Sequence, residues 1–137
     1  MKTNWLDRRI SAPGPYLALC LSESEFRETL RRLKPASIPR WTASDATTHH
    51  FEREDGNTCC VVCLRDHAKH SAVEVAGLLV HEAVHVWQQY CADIGEQRPG
   101  DEQEAYAVQS IAQELMSEFA RRIAIRRGKV GKHVDAK

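Results

Sequence analysis

The chain has 137 residues, 42% of them hydrophobic and 28% charged, with 19 Lys and Arg balancing 19 Asp and Glu. That length suits one domain around one core, and zero net charge argues against a polyelectrolyte partner such as nucleic acid. The best apolar run is interrupted by His81, Glu82 and His85, so it falls short of the roughly 20 residues that cross a bilayer. The N-terminus has no apolar signal core. Five cysteines, an odd number in mostly apolar surroundings, read as reduced thiols of a cytoplasmic protein.

In chain order, residues 1–15 contain Pro13, Gly14 and Pro15 and read as an irregular lead-in. Residues 16–22, YLALCLS, are an apolar run with strand character, short enough to be a helix as well. Ser22 and Ser24 precede Phe26, Leu30 and Leu33, whose spacing predicts a helix that Pro35 and Pro39 end. Two β-prone stretches flank Asp55–Gly56, so residues 46–65 are expected to form an antiparallel hairpin. Ser71 and Glu74 have capping-box spacing and open a helix running to about Asp93. After Gly95, Pro99 and Gly100, Asp101 is expected to cap a second long helix ending near Gly128, with a tail over 128–137. Val108, Ile111, Leu115, Phe119 and Ile123 form its apolar stripe. The expected fold is therefore a single α+β domain over 1–137, a small antiparallel sheet packed on two helices.

Chemistry concentrates in HEAVH, residues 81–85, an H-E-x-x-H motif inside the first of those helices. Residues i and i+4 share a helix face, so His81 and His85 present their imidazoles to one point. Neutral imidazole is a good Zn²⁺ ligand. Glu82 beside them is placed to polarise a metal-bound water rather than bind the ion. A catalytic zinc normally takes a third protein ligand. The three-histidine extension is absent, because Gln88 and Cys91 stand where it needs Gly and His. Two carboxylates follow in DEQEAY: Glu102, separated from His85 by sixteen intervening residues, and Glu104, separated by eighteen.

This pattern resembles the gluzincins, thermolysin-like and related zinc peptidases, and E-x-E-A-Y is similar to strings of smaller zincins whose first glutamate is a ligand. The chain thus looks like a minimal zincin of the kind found in bacterial and phage proteins. The resemblance covers residues 81–106. It implies Zn²⁺ held by His81, His85 and Glu102, with Glu82 as general base and Tyr106 in a supporting position. The eighteen-residue spacing also matches an aminopeptidase-like arrangement that selects Glu104. Helical phase agrees with Glu104, although Asp101-x-x-Glu104 is itself a capping-box spacing.

Other candidates have simpler readings. In a strand Cys60 and Cys63 point to opposite faces, so they do not converge on a metal. His49 and His50 alternate across theirs, so one can face the cleft, while solvated or structural roles are the simpler reading. His67 and His70 read as surface loop residues. Trp87 and Tyr90 read as packing between the two long helices. The basic C-terminal run suits a helix C-terminus on dipole grounds alone. The expected function is that of a zinc-dependent hydrolase, a peptidase acting on a peptide or protein with no membrane partner. A zinc-containing binding or assembly module, for example in a phage, is the alternative.

Overall fold

A computed structural model of the chain describes residue 6 and residues 16–53 and 56–134. The elements are β1 (Tyr16–Cys20), α1 (Glu23–Leu33), β2 (Ala46–Glu52), β3 (Thr58–Leu64), a 3₁₀ turn (His67–Lys69), α2 (Ala72–Ile94) and α3 (Asp101–Val134). The α+β class is as expected, but the sheet is mixed. Its order is β1-β3-β2, with β2 antiparallel and β1 parallel to β3. The antiparallel expectation followed from the hairpin alone; the apolar run at 16–22 becomes a strand because it completes the other edge of β3. Most of the lead-in, and Asp55, lie outside the described residues.

The central strand is buried on both faces. Cys60, Val62 and Leu64 pack toward α2 and α3 with Leu79, Val86, Trp87, Ile111 and Leu115. Val61 and Cys63 pack on the opposite face with Cys20 of β1 and with Phe26 and Leu30 of α1. Strand alternation makes both layers, and burying small thiols in the middle fits the hydrophobic behaviour of free cysteine. All five cysteines are buried.

The helix boundaries follow their caps. Ser22 accepts from the Glu25 backbone N–H at the start of α1. At α2 the Ser71 side chain and the Glu74 carboxylate satisfy each other's backbone N–H groups, a complete capping box. Gly95, at φ 73, ends α2 in the left-handed conformation that lacks a steric penalty only for glycine. The last helix departs from expectation at both ends. The Gly100 carbonyl receives the first helical bond, from Glu104 N–H, so Asp101 lies inside the helix rather than capping it. Gly128 does not stop it; a glycine inside a helix costs only about 1 kcal/mol against Ala, and α3 runs on to Val134.

Buried charge ties α3 to α1. Glu25, 6% exposed, accepts from the Leu21 N–H through one oxygen and is paired with Arg122 through the other. Glu118, 5% exposed, is held by Arg121 at 2.6 Å. His67 and His70 are only part-exposed. His67 meets Phe119 edge-on and Arg126 at 3.1 Å, and burial followed by the Arg126 charge holds its pKa below the usual value. Among the described residues no helix is long and apolar enough to cross a membrane.

Candidate functional site

The capping box at Ser71 fixes where α2 starts, and its 23 residues carry the motif through the middle of the helix. The buried side of α2 bears Val75, Leu79, Ala83 and Val86. His81 and His85 lie on the exposed side and Glu82 sits at the boundary, 3% exposed. A buried carboxylate is costly unless hydrogen-bonded, and here the partner comes from the sheet: Thr48 Oγ1 donates to Glu82 Oε2 at 2.5 Å.

Strand β2 supplies the opposite wall. Its alternation sends Thr48 and His50 toward α2, and His49 toward α1, where it stacks on Phe26 and bonds to the Trp41 carbonyl at 2.8 Å. His50 Nε2 lies 3.1 Å from Asp93 Oδ2 near the end of α2. A cleft of about 510 Å³ separates strand from helix, lined among others by Thr48, His50, His81, Glu82 and His85.

Among the described residues no strand pairs with the outer edge of β2. Arg53 N–H bonds to Asn57 O and Arg65 N–H to Asp45 O, so in this register the odd-numbered residues of β2 exchange hydrogen bonds with β3. The backbone groups of Ala46, Thr48 and His50 therefore point away from the sheet. Thr48 and His50 also line the cleft, so the outward backbone groups of β2 belong to residues that border it.

Within the cleft the two imidazoles approach each other. His81 Nε2 and His85 Nε2 are 3.1 Å apart, with the rings edge-on at 69°. Two nitrogens each about 2.0–2.1 Å from a tetrahedral Zn²⁺ are about 3.3 Å apart, so the imidazole pair fits a metal ion. On its outer side His85 Nδ1 lies 3.2 Å from Gln88 Oε1, one turn along the helix.

The acidic first turn of α3 is placed differently. Glu104 Oε2 accepts from the Trp87 indole N–H at 2.8 Å, and Trp87 is 2% exposed and stacked on Tyr90. At 3.6 residues per turn, Trp87 lies about 140° around α2 from the direction shared by His81 and His85. The flank that receives α3 is therefore turned away from the imidazole pair. Glu102 is exposed and Tyr106 is 66% exposed, and neither lines the cleft. Among the described residues no three His, Cys, Asp or Glu side chains are arranged to hold a metal ion. The pair fits an ion; α3 does not complete the set in this arrangement.

Three contributors were not identified from sequence. Thr48 carries no motif, and only the strand's phase and its packing on α2 reveal it as the partner of Glu82. In the sequence Asp93 marks only the end of the helix, and Gln88 only breaks a three-histidine pattern. Comparisons with family models, curated proteins and solved structures found no match.

Proposed function

We propose that this protein is a zinc-dependent hydrolase of minimal zincin type, a peptidase whose working groups are His81, His85 and Glu82. One observation carries the reading. Two imidazoles at metal-ligand separation and a hydrogen-bonded glutamate line a cleft bordered by β2. A bound Zn²⁺ would supply Lewis acidity, polarising the scissile carbonyl and acidifying water.

The remaining work belongs to the chain. His81 and His85 would hold the ion through Nε2. Thr48 fixes Glu82 by one carboxylate oxygen, leaving Oε1 to take the proton of the attacking water and pass it to the departing amine. Hydroxyl is thereby added to the carbonyl carbon and hydrogen to the nitrogen, so the peptide bond breaks with water consumed. The outward-pointing backbone groups of Thr48 and His50 hold an extended peptide by strand addition. That mode of binding supports a peptide over a small-molecule substrate.

Metal content and peptide cleavage test the proposal together. Wild type is expected to carry about one zinc per chain, and His81→Ala or His85→Ala to lose it. Glu82→Gln is expected to keep zinc and lose activity by about 10²–10⁴-fold, the usual contribution of general acid–base catalysis. Unchanged zinc in both histidine variants removes the metal site. Full zinc without cleavage of a diverse peptide library, together with tight peptide binding, moves the assignment to the binding module. Glu102 ligates only if the first turn of α3 swings around α2. Unchanged zinc binding in Glu102→Ala removes Glu102 from the ligand set.

A further inference from the structure

The outer nitrogen of His85 is engaged within α2 itself. Gln88 lies three positions beyond His85, on the neighbouring turn of the same helix face, and its Oε1 is 3.2 Å from His85 Nδ1. A neutral imidazole carries one N–H, and its two nitrogens cannot both donate. If Nδ1 donates to the Gln88 carbonyl oxygen, Nε2 is left with a lone pair. That lone pair faces His81 Nε2 at 3.1 Å, inside the cleft shared with Glu82.

We infer that Gln88 is a positioning residue that holds His85 in the Nδ1–H tautomer, aiming the Nε2 lone pair at the point it shares with His81. The inference rests on the metal-site reading for its purpose, though not for its tautomer. Without Gln88 the ring is free to take the Nε2–H form, which places a proton where the ion is to bind. It is also free to rotate about its side-chain torsions. Both effects weaken binding before any donor is lost, and outer hydrogen-bond partners of ligating histidines typically contribute about 10–100-fold in metal affinity. The contact is local to one helix and the amide is exposed, so replacing it leaves the core intact.

The test uses full-length protein with Gln88→Met, which keeps length and removes the acceptor, and Gln88→Glu, which restores one. Long-range ¹⁵N–¹H spectra of metal-free protein with neutral imidazoles report the tautomer. Zn²⁺ affinity is measured by competition with a chromophoric chelator. Wild type and Gln88→Glu are expected to show Nδ1–H at His85. Gln88→Met is expected to lose that preference and to bind Zn²⁺ about 10–100-fold more weakly, with Gln88→Glu restoring affinity. An Nε2–H tautomer in wild type overturns the inference, as does equal affinity in wild type and Gln88→Met. If wild type binds no Zn²⁺, the metal reading fails on its own account and the tautomer spectra alone decide the role of Gln88.

Discussion

Replacing Glu104 separates a fastener from a metal ligand. The carboxylate receives the indole N–H of Trp87, a side chain 2% exposed between α2 and α3. Glu104→Ala leaves that donor without its partner in a place where the ring cannot move out to water. A hydrogen bond to a charged group contributes about 1.5–3 kcal/mol, and an orphaned buried donor costs about 1–3 kcal/mol. The loss of the bond and the orphaned donor are one event, so the expected destabilisation is about 2 kcal/mol. For a chain of this length that lowers Tm by roughly 5–10 °C. Urea unfolding followed by tryptophan fluorescence measures it, and a cycle with Trp87→Phe isolates the pair. Glu104→Gln should recover about half, because a neutral acceptor contributes about 0.5–1.5 kcal/mol. Zinc bound at His81 and His85 should be unaffected in both variants, since the contact lies on the other flank of α2. Unchanged stability with lost zinc would refute the reasoning and return the ligand role to Glu104.

Two further perturbations probe the interior. Arg122→Met leaves Glu25 without its cation and should destabilise by about 3–5 kcal/mol in chemical denaturation, the usual effect of breaking a buried pair from one side; a change under 1 kcal/mol would mean the carboxylate finds water. Burial in the apolar core pushes the Cys60 thiol up to about 12 from 9.0. The folded chain then keeps a proton that the unfolded chain releases above about 9, so Cys60 lowers stability by about 1.4 kcal/mol per pH unit between about 9 and 12. Alkaline unfolding curves of wild type and Cys60→Val should diverge over that window, with the Val variant falling less steeply; parallel curves would refute the burial argument.

Local signals in the sequence located most elements because each has a local cause. The Ser71 and Glu74 pair, the Ser22 cap and the Phe26, Leu30 and Leu33 spacing all act within a turn or two of where they stand. The faces of β3 follow from alternation, and the structure sorts Cys60 and Cys63 onto opposite sides. The H-E-x-x-H spacing likewise brings His81 and His85 together through helix geometry alone. What the chain order hides is lateral placement. Nothing local shows that residues 16–20 run parallel to β3 on its far side, or which flank of α2 receives α3. That flank decides how Glu102 and Glu104 stand toward the imidazoles. Thr48 and Asp93 were missed for the same reason, since their partners are separated from them by a strand, a turn and a helix.

The register of the sheet also bears on the order of assembly. β2 and β3 meet through a tight connection, with Arg53 facing Asn57, and a closure that short forms in microseconds. β1 pairs in parallel with the same central strand, Tyr16 beside Cys59, and must wait for a much longer loop to close at greater entropic cost. Loop closure alone therefore favours the β2–β3 pairing that carries Thr48 and His50 over the β1–β3 pairing. Slowing the docking of β1 would delay burial of the thiols facing α1 and expose β3 along a second edge during synthesis. In such a chain the kinetic hazard lies on the side of the sheet opposite the cleft, and mutations there would reduce yield of folded protein while leaving the cleft of the folded molecules unchanged.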